Sequence, residues 1–149
     1  MLRAERGVKH TYLIGMGSNI EPERHLRAAA DAIRRRFPEV RFSAVYRSAA
    51  VGMQGAADFL NACCSLQSDL SSQDLGVWLK LLEDKHGRDR SHGSWKPRTL
   101  DLDLLMAGDE VLDDELFRYA HAYVPASELC DLPGSDVDVD LVVRTPIGL

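Results

Sequence analysis

The chain contains no apolar run of the ~18 residues that a membrane helix requires. Its opening stretch, MLRAERGVKHTYLIG, lacks a long apolar core followed by a small-residue cleavage site, so the expectation is a cytoplasmic protein without a secretory leader. Cysteine is scarce and odd in number: Cys63, Cys64 and Cys130. Two of them are adjacent, and neighbours on a strand point to opposite faces, so they do not make a metal pair. All three read as small buried hydrophobes in a reducing compartment. There is no C-x-x-C and no H-x-x-x-H, which argues against structural zinc even with His86 and His92 near Asp101. Gly15-Met16-Gly17-Ser18-Asn19 has neither the lysine of a Walker loop nor the third glycine of a dinucleotide fingerprint, and reads as a tight strand-to-helix turn. Positive charge is also in deficit, with 18 Lys and Arg against 23 Asp and Glu and a net charge of −5, so bulk electrostatics disfavour duplex nucleic acid.

What is present is ordinary globular material: 45% hydrophobic and 28% charged residues over 149 positions, enough for a single domain spanning 1–149. Residues 1–9 read as a loose tail. His10–Met16 is a short apolar strand. Ser18 or Asn19 can then cap a helix, with Pro22 in its first turn and Leu26, Ala29, Ala30, Ile33 and Phe37 at helical spacing. Arg34, Arg35 and Arg36 suit the negative end of that helix better than a phosphate patch. Val40–Arg47 alternates as a strand, with Phe42, Ala44 and Tyr46 on one face. Ser48–Asp58 is a loop rich in Gly and Ala, and Phe59–Gln67 is a third strand that puts Phe59, Asn61 and Cys63 on one side. Ser71-Ser72-Gln73-Asp74 matches a capping box ahead of Leu75, Trp78, Leu79 and Leu82, and Gly87 ends that helix. A polar loop, Arg88–Pro97, leads into a strand at Arg98–Met106. Residues 131–149 read as tail or edge strand. The order β-α-β-β-α-β is most economically packed as an α+β, ferredoxin-like antiparallel sheet with helices on it.

The segment richest in chemistry is Leu100-Asp101-Leu102-Asp103-Leu104. Strand periodicity turns the leucines to the core and sets Asp101 and Asp103 side by side on the other face, roughly 7 Å apart at the backbone. Two such carboxylates repel unless something positive lies between them. Mg²⁺, which prefers few carboxylates, several waters and phosphate oxygens, meets that need. A bare D-x-D also fits a solvated strand with its charges outward. The surroundings favour the first reading: Arg88, Arg90 and Arg98 can cradle phosphoryl oxygens, Trp95 lies between them in sequence, and Glu83 closes the preceding helix. Carboxylates, metal and arginines at a loop-to-strand junction supply the positioning and charge neutralisation that phosphoryl transfer requires.

These residues together resemble the 6-hydroxymethyl-7,8-dihydropterin pyrophosphokinase family of folate biosynthesis. The resemblance runs over about residues 11–112, through Ile14–Asn19, Tyr46-Arg47-Ser48 to Val51-Gly52, Asp58–Ala62, Glu83 with Gly87-Arg88, and above all Trp95-Lys96-Pro97-Arg98-Thr99-Leu100-Asp101-Leu102-Asp103. It implies a ferredoxin-like enzyme that transfers pyrophosphate from ATP to the pterin hydroxymethyl oxygen and releases AMP. It further implies Asp101 and Asp103 as ligands of two Mg²⁺ ions, Arg88 and Arg98 as phosphate clamps, and Glu83, Arg90, Trp95 and His121 around ATP. Ser48, Ala49, Val51, Phe59, Asn61, Trp95 and Tyr123 fall at the pterin. The expected partners are those two small molecules, with the protein a monomer that engages neither nucleic acid nor membrane.

The chain departs from the family pattern at Phe117–Pro125, which is several residues short and has no Arg between His121 and Pro125, leaving Arg118 as the nearest substitute. Ala49-Ala50 stands where prolines are usual. The alternative raised by these departures is a weakened paralogue acting on a related pterin, or a non-catalytic pterin- or nucleotide-binding module.

Overall fold

The computed structural model describes residues 9–49, 58–87 and 99–149. Seven strands form one antiparallel sheet: β1 (His10–Ser18), β2 (Arg41–Phe42), β3 (Tyr46–Ser48), β4 (Phe59–Ser68), β5 (Asp101–Ala107), β6 (Glu110–Val111) and β7 (Val142–Arg144). The order across the sheet is β6-β5-β1-β4-β3-β7, with β2 also paired to β4. Helices α1 (Pro22–Arg36) and α2 (Ser72–Lys85) lie on one face; the short α3 (Glu115–Arg118) and α4 (Ala120–Ser127) lie on the other. This is the ferredoxin-like α+β arrangement expected from the element order, with two further helices.

The period of two along β1 and β4 divides the core. Tyr12, Ile14 and Met16, with Leu60, Ala62, Cys64 and Leu66, pack under the stripes of α1 (Leu26, Ala29, Ile33) and α2 (Leu75, Leu79, Leu82). Leu13 and Cys63, from the opposite phase, join Leu105, Leu116, Ala122 and Ala126 under α3 and α4. The adjacent cysteines therefore serve different cores, both fully buried, and burial raises both thiols, Cys64 to about 12. Cys130 is only half-buried.

Strand β5 carries a bulge. Ile14 stands opposite Leu104 and Leu13 opposite Met106, so Leu105 is the extra residue. It drops into the second core, where a Cβ on Gly15 would come within 3.2 Å of its Cδ1. Before the bulge, Leu100 and Leu102 are buried and Leu104 packs on the first core, as the period predicts.

Several local expectations are corrected. Neither Ser18 nor Asn19 caps α1; both are buried, and the cap position is Glu21, in a left-handed conformation (φ 43°), just before Pro22. The strand expected over Val40–Arg47 is broken into β2 and β3. Ser43 bonds Cys63 through its backbone N–H and its Oγ, and Val45 turns inward, so both are buried. The strand expected at Arg98–Met106 runs Asp101–Ala107. Ser71 does cap α2, accepting from the Asp74 N–H at 3.1 Å, and Gly87 follows the helix at φ +77°. Residues 131–149 end in a true edge strand, β7, paired to β3. The arginines at the end of α1 are exposed, with Arg34 paired to Asp31 at 3.0 Å.

Leu105→Ala should cost about 3 kcal/mol, because the bulge holds the backbone over a cavity that cannot collapse past Gly15. A urea titration checks this; a loss below about 1 kcal/mol would mean the bulge relaxes.

Candidate functional site

Residues paired across antiparallel strands present their side chains to the same face. Gly17 of β1 stands between Asp101 of β5 and Asn61 of β4, and Asn61 in turn faces Tyr46 of β3. One step along, Gly15 stands between Asp103 and Cys63. At these two positions the central strand offers no side chain, which leaves a trough between an acidic wall and an amide wall. Two strand spacings put those walls ~10 Å apart.

The acidic wall is Asp101 and Asp103, both half-buried. Burial and then the Asp101 charge push the Asp103 carboxyl well above the usual range, and Glu115, Asp113 and Glu83 add to the effect. So many acids around one half-buried carboxylate fit a cation, and the two neighbouring carboxylates, oxygen donors both, suit a hard divalent ion. Glu83 of α2 is buried, and its Oε2 accepts from the Leu102 N–H at 2.6 Å, the backbone link between the two aspartates. The short β6 reaches only Met106 and Ala107, so among the described residues this helix carboxylate satisfies the β5 edge where no strand does.

On the amide wall, buried Asn61 donates through Nδ2 to Ser48 Oγ at 2.7 Å. A Cβ on Gly17 would lie 3.0 Å from Asn61 Oδ1 and 3.9 Å from Phe59 Cδ1, so the glycine leaves room for both. The half-buried Phe59 faces Ser48 across β3 and β4. Tyr46 donates its hydroxyl to Glu128, and burial with that carboxylate raises the phenol to about 12.

The remaining expected residues divide three ways. Ala49 is exposed just beyond β3. His121, in the first turn of α4, stacks on Tyr119 (5.3 Å between centroids) and lies near enough to Asp101 for that charge to oppose the lowering of its pKa by burial. Tyr123 packs beside Phe117 and donates its hydroxyl to the Pro133 carbonyl at 2.8 Å. Arg118, the expected substitute clamp, is exposed and pairs with Asp114 at 3.4 Å. Val51, Arg88, Arg90, His92, Trp95 and Arg98 lie outside the described residues. Sequence reading did not single out Gly17 as a spacer or Glu83 as a support for β5, because both follow from cross-strand register. It also passed over Asp113 and Glu115; their acidity was visible, but only the fold brings them to Asp103.

A raised carboxyl holds a proton that the unfolded chain releases, so the metal-free protein loses stability as pH rises above the ordinary carboxyl value of 3.8. Asp103→Asn should therefore raise the thermal midpoint at pH 8 in EDTA and leave it nearly unchanged at pH 4. A lower midpoint at pH 8 would mean the carboxylate is already compensated.

Comparison with known proteins agrees with this geometry. Residues 13–132 match the family model described as 7,8-dihydro-6-hydroxymethylpterin-pyrophosphokinase. A 2-amino-4-hydroxy-6-hydroxymethyldihydropteridine pyrophosphokinase from Pseudomonas aeruginosa is 36% identical over 139 residues, 91% of this chain and 83% of the relative. Proteins of the same name from Haemophilus influenzae (33% over 136 residues, 89% and 84%) and Campylobacter jejuni (36% over 149 residues, 97% and 85%) are similar over as much of their length. With the acidic pair, the glycine floor and the amide wall in register across three strands, the chain belongs to the 7,8-dihydro-6-hydroxymethylpterin-pyrophosphokinase family.

Proposed function

We infer that the protein transfers the β,γ-pyrophosphoryl group of ATP to the hydroxymethyl oxygen of 6-hydroxymethyl-7,8-dihydropterin, an ATP-dependent diphosphotransferase step of folate biosynthesis. The hydroxymethyl oxygen bonds to the β-phosphorus, the bond from that phosphorus to the α,β-bridging oxygen breaks, and AMP leaves while the hydroxyl proton is released. The observation that carries the reading is the single row Asp101–Gly17–Asn61, which sets a metal-seeking wall across a side-chain-free floor from a heterocycle reader.

In this reading Asp101 and Asp103 hold two Mg²⁺ ions, which when bound neutralise the triphosphate and acidify the attacking hydroxyl. Glu83 keeps the aspartate backbone fixed through Leu102 and borders the nucleotide, and His121 faces ATP from α4. Arg88 and Arg98 clamp phosphates, with Arg90 and Trp95 beside ATP; the family motif at Trp95–Asp103 supports these roles. The pterin lies on Phe59, with Asn61 presenting Oδ1 to its amide edge while Nδ2 is held by Ser48. Ala49, Val51, Trp95 and Tyr123 complete that pocket. The same reading makes the protein a cytoplasmic monomer acting on small molecules, with no nucleic-acid or membrane partner. The net charge of −5 weighs against a nucleic-acid partner, and among the described residues no helix is long and apolar enough to cross a membrane.

Incubation with Mg-ATP and the reduced pterin should yield AMP and pterin diphosphate. ADP would place attack at the γ-phosphorus and contradict the assignment; bound pterin with no AMP would favour a binding module. Asp101→Asn and Asp103→Asn should each lower kcat by about a hundredfold or more. Unchanged turnover in both would remove them from the site. Gly17→Ala should fold normally, because only the tip of Asn61 must move, yet raise KM for the pterin about tenfold and leave KM for ATP within about twofold. Equal effects on both substrates would deny Asn61 its role.

A further inference from the structure

His25, buried in the first turn of α1, and His86, which caps α2, meet through their Nδ1 atoms at 2.7 Å. The rings stand edge-on, 5.0 Å apart, and the two residues are separated by 61 positions in sequence. One Nδ1 must carry a proton and the other must not. The bond therefore tolerates the neutral pair or the pair with one extra proton, and a second added proton breaks it. Among the described residues, the charges that act on the pair include Glu21 and Arg24 from the start of α1, themselves paired at 2.9 Å.

What the bond joins gives it a purpose. The His25 N–H closes the first turn of α1 on the carbonyl of Glu21, the residue in the left-handed conformation, a backbone state that costs of order 1 kcal/mol or more and needs holding. That turn follows directly on β1, whose Gly17 floors the trough. On the other side, the His86 N–H donates to the carbonyl of Glu83, the residue whose carboxylate holds the Leu102 N–H between Asp101 and Asp103. We propose that His25 and His86 are positioning residues for the pyrophosphoryl-transfer site, a tie that fixes the end of α2, and through Glu83 the aspartate pair, against the start of α1. The proposal rests on the reaction assigned above.

Burial lowers both imidazoles, so the unfolded chain takes up protons first, from the ordinary histidine value of 6.5 downward, and the folded state that holds the tie loses stability in acid. The test compares wild type with His86→Asn, whose amide keeps a hydrogen-bonding group at the Nδ1 position but does not titrate, and with His86→Phe, which keeps a ring and loses the bond. His86→Asn should match wild type in kcat at pH 7.5, and His86→Phe should fall about fivefold, with KM for the pterin unchanged in both. A fall in His86→Asn equal to that in His86→Phe, or full kcat in His86→Phe, would overturn the proposal. The unfolding midpoint separates this from failure of the reaction itself. If wild type makes no AMP at any pH, the reaction reading fails, while a wild-type midpoint that drops below that of His86→Asn under pH 6.5 still upholds the tie, and parallel midpoints end it.

Discussion

The structure depends on two successive positions of one strand face carrying no side chain. In β1 the period of two places Tyr12, Ile14 and Met16 in the core under α1 and α2 and leaves Gly15 and Gly17 on the opposite face. Each glycine has its own reason. Gly15 admits Leu105, the bulged residue that anchors the second core, and Gly17 admits Asn61 and Phe59. One row of missing side chains thus seats the cover of α3 and α4 at one end of the sheet and leaves a trough at the other. Fold stability and the trough share the same strand, which is economical and also constraining, since a side chain at either position disturbs one or the other.

The electrostatics follow from that geometry. Asp101 and Asp103 stand together because β5 is a regular strand before its bulge, and the acids Glu83, Asp113 and Glu115 crowd them further. A fold that gathers so much negative charge in a half-buried place is strained without a cation and relieved by one. The buried Glu83 resolves part of this differently, by accepting from the Leu102 N–H and holding the strand whose charges it neighbours. Under the proposed function, binding of metal-nucleotide and stability of the site are coupled through the same carboxylates.

Much of this was legible in the residues themselves. The leucine–aspartate alternation at 100–104, the stripes of α1 and α2, the Ser71 cap and the opposite faces of Cys63 and Cys64 follow from local periodicity and capping chemistry, and the fold keeps them. The failures share a cause. The α1 cap fell to Glu21 because Ser18 and Asn19 were needed inside, and the strand after α1 broke because Ser43 satisfies Cys63 while Val45 turns into the core. Neither choice is local. Helices α3 and α4 were hidden by their brevity and by Pro125, which argues against a helix unless tertiary packing of Leu116, Ala122 and Ala126 supports it. The trough itself needed cross-strand register, which no single segment encodes.

The most direct measurement is equilibrium binding of a non-hydrolysable ATP analogue with and without Mg²⁺, in the wild type and in the Asp101→Asn/Asp103→Asn double variant, with pterin affinity measured alongside. The account predicts that wild type binds the analogue at least tenfold more tightly with Mg²⁺, that the double variant loses this dependence, and that pterin affinity is the same in both. Nucleotide binding indifferent to Mg²⁺ in wild type, or equally Mg²⁺-dependent in the double variant, would contradict it.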